Sequence, residues 1–232
     1  MAEQTYHQFC PVAMAAEVLC TRWTVVLLRE LIAGTTRFNE LRRGLPRISP
    51  ALLSQRLKEL EAYGVIERHA IEREPGAFEY KLTSAGRDLE PLIMGFGRWG
   101  QRWISSDMSL QKLDAGLLMW DMRRNLRIDP TPPSRRVVQV KFPDAPAKDR
   151  QWWLVATPDG CVDLCKIDPG FDVDLYVNAE LKALTEIWMG LKPFAEALND
   201  ERVLLTGDRE IARAFPSWLA LSPFAPEPRM VA

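Results

Sequence analysis

The chain has 232 residues, of which 47% are hydrophobic, and this length suggests two domains. Its 30 basic and 31 acidic side chains give a formal net charge of −1, so a basic binding surface must be local. No signal peptide or apolar span of membrane length is evident. We therefore expect a cytoplasmic protein with reduced thiols.

Two short helices are predicted in the N-terminal part of the chain. Trp23–Ala33 has apolar residues at helical spacing and is followed by Gly34, which is suited to end a helix. Thr36–Gly44 forms a second short segment, with Phe38 and Leu41 as its inward residues. A tight turn then leads to a further helix, and this order is typical of the helix-turn-helix motif.

The next helix, Ser49–Glu61, carries the most informative pattern in the chain. Ser49 is a suitable N-cap, and Pro50 suits the first helical position because proline lacks the N–H that is unpaired there. At about 100° per residue, one side of this helix carries Leu53, Leu57 and Leu60. The opposite side carries Ala51, Gln55 and Lys58, and Ser54 lies at the boundary between the two sides. This polar side suits a helix in the DNA major groove, because its groups allow close approach, hydrogen bonds to base edges and attraction to phosphates. These groups are a small residue, an amide, a hydroxyl and a cation. An ordinary amphipathic helix is the alternative, and the flanking sequence favours DNA reading.

A β-hairpin is predicted after this helix. Gly64 ends the helix, and Val65–Ile71 alternates as a strand does. Turn residues fill Glu72–Ala77, and Phe78–Leu82 is the returning strand. This hairpin is the wing of a winged helix. Thr83 or Ser84 is then expected to cap a last helix that runs to about Trp103.

Basic residues are concentrated in the predicted DNA-binding segment. From Arg37 to Lys58 the only acid is Glu40, whereas the rest of the chain is nearly balanced. Phosphates would take up much of this charge, so binding should weaken steeply with salt. The alternative is that these arginines only solubilise the surface. The predicted DNA contacts are Ser49, Ser54, Gln55 and Lys58 in the groove, Arg37, Asn39, Arg42, Arg43, Arg47 and Arg56 on phosphates, and His69 or Arg73 on the wing.

A run of short motifs resembles a known family. These motifs are Cys10–Val12, Arg22–Thr24, Leu28–Leu31, Arg37–Leu41, Ile48–Pro50, Leu53–Leu60, Gly64–Ile66, Tyr80–Thr83 and Gly86. In this order, over roughly residues 8–104, they resemble the HxlR-type winged-helix transcriptional regulators. The resemblance implies a bacterial homodimer that pairs through its first and last helices and binds a palindromic operator. Ala51 departs from the family, where a larger or basic residue is common, so base reading would depend on Gln55 and the wing.

The helix after the wing supports dimerisation independently. Its apolar face exceeds what a small winged domain can bury, and large exposed patches usually mark interfaces. The alternative is that this face packs on the C-terminal half of the same chain. The residues concerned are Leu89, Leu92, Ile93, Phe96, Trp99 and Trp103.

The second half is predicted to be a separate domain. Ser105–Asp107 is the joint, which gives domains over residues 1–105 and 106–232. The expected helices are Leu110–Leu126, Ala179–Trp188 and Asp208–Phe215, and the expected strands are Arg136–Phe142, Gln151–Ala156, Cys161–Cys165, Asp172–Val177 and Val203–Leu205. A hairpin turn is expected at Pro158–Gly160. The fold class of the whole chain is α+β, with a winged helix-turn-helix followed by an antiparallel sheet with helices.

This order of elements resembles the sterol-carrier-protein-like fold, which encloses an apolar tunnel for lipids. The resemblance implies a sensor whose C-terminal domain binds a small apolar effector, and aromatic and Met residues are typical of such pockets. The same residues also fill ordinary cores. The predicted ligand set is Trp120, Trp152, Phe171, Tyr176, Trp188, Met189, Phe194 and Trp218.

The sequence offers little for catalysis or metal binding. His7 and His69 are the only histidines, and no pair of cysteines has zinc spacing supported by them. No glycine-rich phosphate loop or nucleophile elbow is present, and the paired Asp172 and Asp174 are weak evidence alone. We expect no enzyme activity, no metal and no cofactor.

Cys10 is the second possible regulatory site. It precedes Pro11 at the start of the first helix, where the helix dipole can lower a thiol pKa. The family resemblance implies oxidant or electrophile sensing near this position, with Cys20 as the second such thiol. Burial in the dimer interface is the alternative for both. Cys10→Ser abolishes the regulatory response under the thiol hypothesis and leaves it intact under the effector hypothesis.

Overall fold

A computed structural model of the chain describes residues 5–72, 74–128 and 134–231. Contacts divide the chain into two compact units, and the division falls between Gly97 and Arg98. The functional boundary after residue 105 stays a prediction. Each unit has its own hydrophobic core.

The first unit is a winged helix-turn-helix. Its helices are α1 (Pro11–Leu19), α2 (Thr24–Ile32), α3 (Phe38–Gly44), α4 (Pro50–Ala62), α5 (Ser84–Arg87) and α6 (Glu90–Trp103), the last of which continues beyond the division. Its strands, β1 (Ile66–Ala70) and β2 (Phe78–Leu82), form an antiparallel hairpin in which Ile66 lies opposite Leu82. The predicted helix-turn-helix and wing are therefore confirmed.

The ends and the buried side of α4 agree with the sequence pattern. The Ser49 hydroxyl accepts a hydrogen bond from the Leu52 N–H at 3.2 Å, and Pro50 occupies the first turn. Leu53, Leu57 and Leu60 are buried in the core of the unit. Gly64 follows the helix with φ +68°, a left-handed conformation that glycine adopts without steric cost.

The helix predicted to run from Thr83 to Trp103 is wrong as a single element, because it is broken into α5 and α6. Thr83 caps α5 as expected, with its hydroxyl oxygen 3.1 Å from the Gly86 N–H. Pro91 explains the break, since a proline inside a helix clashes with the carbonyl four residues earlier. The chain therefore turns after Arg87 and restarts a helix that has Pro91 in its first turn.

The second unit combines helices with one sheet. Its helices are α7 (Ser106–Leu110), α8 (Ala115–Asn125), α9 (Leu181–Trp188), α10 (Phe194–Asn199) and α11 (Arg209–Trp218). Its strands are β3 (Arg136–Lys141), β4 (Gln151–Ala156), β5 (Val162–Cys165), β6 (Leu175–Ala179) and β7 (Val203–Gly207). The predicted hairpin of β4 and β5 is confirmed, whereas α10 had no counterpart in the predicted elements.

Three predicted element starts in this unit are wrong, and one of them is Ala179, which ends β6 and does not begin α9. The other two have a visible local cause. The predicted helix from Leu110 is interrupted at Asp114, whose carboxylate caps α8 by accepting from the Leu117 N–H at 3.0 Å. The predicted strand from Asp172 begins only at Leu175, because the Asp174 carboxylate accepts from the Val137 N–H at 2.7 Å. Asp174 thus holds the neighbouring strand with its side chain and also with its backbone, since its N–H donates to the Val137 carbonyl at 2.9 Å.

The sheet is mixed, which corrects the predicted antiparallel sheet. The strand order is β5-β4-β3-β6-β7, and the central pair β3 and β6 is parallel. Residues 166–174 connect β5 to β6 and carry the chain to the far side of β3, so that β6 runs in the same direction as β3.

Alternate residues of the strands belong to two apolar clusters, one on each face of the sheet. Val138 and Val140 belong to the large core that includes residues of α8, α9 and α11. Val137 and Trp153 belong to a smaller cluster on the opposite face of the sheet, together with Val155. Most of the apolar area of this unit is therefore buried between the sheet and its helices.

No single helix in the described residues is long and apolar enough to span a membrane. The pair α1 and α2 passes that test of length and composition only when taken together, and the two helices are bent by 81°.

Candidate nucleic-acid interface

The outward side of α4 presents the residues that the sequence predicted. Ala51 and Lys58 are exposed, and Ser54 and Gln55 are partly exposed. They lie opposite the buried leucines, since the helix places residues three and four apart on one side. The small Ala51 side chain allows close approach to a groove, and Lys58 provides a cation that can contact a phosphate.

Gln55 is held by a neighbour on the same helix that the sequence analysis overlooked. The Gln55 side-chain Nε2 donates to Glu59 Oε1 at 2.9 Å. The Arg56 guanidinium forms an ion pair with the other oxygen of Glu59, and its Nε donates to the Arg22 carbonyl at 3.1 Å. Only 13% of the Arg56 side chain is exposed. The structure therefore turns Arg56 toward the protein, although it was predicted to contact phosphate.

The other predicted phosphate ligands lie on α3 and on the turn that follows it. Asn39, Arg42 and Arg43 are exposed on α3, and Arg47 is exposed in the turn before α4. The Ser49 hydroxyl is exposed as well, with its oxygen used as the cap of α4. These groups give the helix-turn-helix a positively charged surface of the kind that attracts the DNA backbone.

Arg37 links the start of α3 to the wing. Its two terminal nitrogens donate to the two carboxylate oxygens of Glu74, both at 2.9 Å. This hydrogen bonding, together with the negative charge of Glu74, raises the pKa of Arg37 above its usual value. The Tyr80 N–H also donates to the Thr36 carbonyl at 2.8 Å, so β2 is fixed beside this segment. The Arg37 side chain is thus paired with Glu74 and is also exposed.

His69 lies on the outer part of the wing strand β1. Its Nε2 is 3.3 Å from a carboxylate oxygen of Glu67, and the two side chains are 45% and 65% exposed. The other predicted wing contact, Arg73, lies outside the described residues.

Glu59 and Glu74 are the residues that sequence reasoning missed. Glu59 could have been found from its spacing, since it follows Gln55 by four positions and Arg56 by three, and such pairs meet on a helix. Glu74 gave no comparable signal, because its contact with Arg37 joins the wing to a distant part of the chain.

Apolar side chains remain exposed on α1 and α6. α1 has no buried residue, and Phe9 just before it is 98% exposed. On α6, Ile93 is buried in the core of the first unit. Leu89, which precedes α6, packs against the same core, so these two do not belong to the exposed face. The exposed stripe, here called the α6 stripe, consists of Leu92, Phe96, Trp99 and Trp103.

The polar side of α6 is bound by its own chain. Glu227 accepts from Arg102 at 2.8 Å and lies 3.3 Å from the Nε of Arg98. The Met230 N–H donates to the Arg102 carbonyl at 2.8 Å, and the Gln101 amide donates to the Met189 carbonyl. The four residues of the α6 stripe are between 49% and 60% exposed.

The predicted ligand set is divided between two faces of the sheet. Phe171 and Tyr176 are partly exposed, and Tyr176 lies on the strand face opposite the large core. Trp120 is buried with the guanidinium of Arg123 4.7 Å from its ring. The remaining members lie in or against the large core, where rings pack edge to face around Phe215; they are Trp152, Trp188, Met189, Phe194 and Trp218. Within the described residues the set is therefore split between the two faces of the sheet, and the effector site stays a prediction.

The four cysteines are free thiols. Cys10 and Cys20 are both exposed, and Cys10 is the N-cap residue of α1. In the second unit, Cys161 is exposed beside Asp159, whose negative charge raises the pKa of the Cys161 thiol. The redox role of Cys10 and Cys20 stays a prediction.

Comparison with known proteins agrees with this geometry. A sequence profile of HxlR-like helix-turn-helix proteins matches residues 18–108. The chain is 38% identical over 98 residues to the uncharacterized HTH-type transcriptional regulator YvaP of Bacillus subtilis (strain 168). The aligned segment covers 42% of this chain and 91% of YvaP. It is 33% identical over 98 residues to the HTH-type regulator sll1512 of Synechocystis sp.. That alignment covers 42% of this chain and 73% of sll1512.

Solved structures of proteins similar in sequence to this chain include two regulators. The redox regulator HypR in its reduced form is 38% identical, with a TM-score of 0.38, over 40% of this chain and 91% of HypR. The reduced form of the transcriptional regulator YodB from B. subtilis is 32% identical, with a TM-score of 0.36, over 40% of this chain and 93% of YodB.

The helix-turn-helix, the wing and the polar side of α4 define a DNA-binding transcriptional regulator. By its sequence, the chain belongs to the HxlR-like helix-turn-helix family. The family profile ends at residue 108, so the resemblance of the second unit to the sterol-carrier-protein-like fold stays a prediction.

Proposed function

We propose that the protein binds a palindromic operator as a homodimer and thereby controls transcription. Each copy would insert α4 into the major groove, with Gln55 and Lys58 as its principal contacts. Exposed Arg42, Arg43 and Arg47 would bind phosphates on either side, while the wing would lie along the backbone.

The outward side of α4 carries this proposal. It combines a small residue, an amide and a lysine on the helix that follows the turn. The groups around it are basic, although the whole chain has a formal net charge of −1. A local basic surface on a nearly neutral chain supports binding to a polyanion at this surface in preference to others.

The exposed apolar residues support the homodimer. The α6 stripe follows the spacing of one helix face, and α1 adds Val12 and Met14. A second copy of this chain offers the same surfaces, and a two-fold pair of identical faces is the commonest closed arrangement. A two-fold dimer would require an operator with two related half-sites.

The test is a fluorescence-anisotropy titration with labelled duplexes. A randomised duplex library first selects the preferred sequence, and the most enriched duplex is then compared with a scrambled duplex across a salt series. We expect tight binding to the selected duplex that weakens steeply with salt. Lys58→Ala should weaken binding to both duplexes and reduce the salt slope by about 1, whereas Gln55→Ala should mainly reduce discrimination.

Lys112→Ala is the matched control, since it removes a lysine from the second unit. It should leave both affinities unchanged. Equal binding to the selected and scrambled duplexes by the unmodified protein would contradict the proposal.

We further propose that the second unit regulates this binding through a small apolar effector. Phe171 and Tyr176 support this proposal as the exposed members of the predicted ligand set, each with a cationic side chain near its ring. The thiol hypothesis is the alternative, and the exposure of Cys10 at the start of α1 supports it. Cys10→Ser should abolish the regulatory response under the thiol hypothesis and leave it intact under the effector hypothesis.

A further inference from the structure

We infer that Glu59 is the positioning residue of the DNA-reading helix: it orients the Gln55 amide for base recognition and keeps Arg56 away from the phosphates. This inference rests on the proposed function, because it concerns how the same helix discriminates between sequences. It gives Glu59 a role in specificity, although Glu59 need not touch DNA.

The contact between Gln55 and Glu59 fixes the orientation of the amide. A carboxylate only accepts hydrogen bonds, so the group that faces it at 2.9 Å must be the Gln55 Nε2. One N–H of Gln55 is used in this contact. The second N–H and the carbonyl oxygen remain available, and together they match the acceptor and donor that adenine presents in the major groove.

Arg56 completes the arrangement from the other side. Its guanidinium pairs with Glu59 and also donates to the Arg22 carbonyl, which precedes α2. The next residue, Trp23, has φ +80°, a conformation that non-glycine residues rarely adopt. The turn before α2 therefore anchors Arg56, Arg56 anchors Glu59, and Glu59 orients Gln55.

The arrangement has two consequences for DNA binding. Glu59 restricts the rotamers of Gln55, so less conformational entropy is lost when Gln55 binds a base. It also holds a cation that would otherwise reach toward phosphates, and this lowers affinity for DNA of any sequence. Both consequences increase the ratio of specific to non-specific binding.

The experiment compares Glu59→Ala with the unmodified protein on three kinds of duplex: the selected duplex, its single-base variants and a scrambled duplex. For Glu59→Ala we expect about tenfold less discrimination at the base read by Gln55. Affinity for the scrambled duplex should be equal or higher, with a salt slope steeper by about 1 because Arg56 is released. Glu61→Ala is the matched control, since it removes an exposed acid from the same helix.

A double-mutant cycle tests whether Glu59 acts through Gln55. If it does, Glu59→Ala adds no further loss of discrimination to a protein that already carries Gln55→Ala. Glu59→Gln preserves an acceptor for the amide but not the charge for Arg56, so it should keep discrimination and still steepen the salt slope. Circular dichroism melting curves establish that each variant is folded.

The outcomes are distinct. Additive losses in the cycle, unchanged discrimination in Glu59→Ala, or equal weakening on all duplexes would each overturn the inference. Lack of any sequence preference in the unmodified protein would instead refute the proposed function, so the two failures can be told apart.

Discussion

At the scale of single residues, Gly86 shows how closely the first unit is packed. A Cβ built on Gly86 would lie 2.2 Å from the backbone carbonyl oxygen of Val65. This obstacle is main chain, so it cannot move aside as the end of a long side chain could. The absence of a side chain at this position allows α5 to lie against the start of the wing.

Gly86→Ala should therefore destabilise the protein, by about 2 kcal/mol, a value typical of overpacking. Gly95→Ala is the control, because a Cβ there meets nothing within 4 Å and alanine favours a helix more than glycine does. Chemical denaturation monitored by circular dichroism gives the free energy of unfolding of both variants. A Gly86→Ala protein as stable as Gly95→Ala would contradict the close approach.

Residue patterns predicted the buried side of α4 but not the partners of two basic residues, one at the start of α3 and one on α4. The leucines at 53, 57 and 60 are identified by helical spacing alone. Arg37 and Arg56 were predicted as phosphate ligands because a sequence shows charge without showing its neighbours. The acidic partner of Arg37 became visible only when the wing was placed in three dimensions. Glu59, in contrast, lies three positions after Arg56 and could have been found from helical spacing.

At the scale of elements, local capping residues determine where several helices begin. Asp208 is the N-cap of α11, and its carboxylate accepts from the Ile211 N–H at 3.0 Å and the Glu210 N–H at 2.8 Å. These two hydrogen bonds lower the pKa of Asp208, since they favour the charged form. The cap is thus stronger when Asp208 is ionised.

The stability of the second unit should consequently depend on the ionisation of Asp208. Its folded pKa lies below its unfolded value, so this contribution is present above the unfolded pKa and is lost as the pH falls through the folded pKa. Asp208→Asn keeps a capping side chain that does not titrate. Between about pH 5 and about pH 3, the variant should lose less stability than the unmodified protein.

Thermal unfolding at a series of pH values measures this difference. Asp172→Asn is the control, because it removes another exposed carboxylate of the second unit, in the connection between β5 and β6. Parallel pH profiles for Asp208→Asn and the unmodified protein would show that the cap does not contribute.

Elements with local signals were predictable from the sequence, and those set by distant contacts were not. The β4–β5 hairpin follows from its turn residues, and β4 was predicted with its observed bounds. The start of α9 depends on Asp144, whose carboxylate accepts from the Leu181 N–H across a long separation in sequence. The parallel pairing of β3 and β6 likewise depends on the path of a connection that has no periodic pattern.

At the scale of the whole molecule, the α6 stripe determines the expected oligomeric state. Phe96 and Trp99 are more than half exposed on a helix whose polar side is bound by its own chain. Apolar area of this kind is stabilised when a partner removes it from water. Two copies of the chain paired through the stripe would bring two DNA-reading helices into one particle.

Phe96→Glu should therefore convert a dimer into a monomer, because it places a charge in the apolar contact. Size-exclusion chromatography with light scattering measures the mass. Affinity for the selected duplex should fall by at least about a hundredfold, since each copy would bind a half-site alone. Leu204→Glu, which alters an exposed apolar residue of the second unit, should stay dimeric. A Phe96→Glu protein that remains dimeric would place the interface elsewhere.

The mixed sheet of the second unit has a consequence for the order of folding. Val138 pairs with Leu175 in the central parallel ladder, whereas the wing of the first unit pairs strands that are neighbours along the chain. Local contacts form faster than contacts between distant segments. During synthesis on the ribosome, the N-terminal unit is therefore expected to fold first. The β3–β4 hairpin can pair with β6 only after β6 has been synthesised. In that interval one edge of β3 is unpaired, which makes it the part of the nascent chain most exposed to mispairing and to chaperone binding.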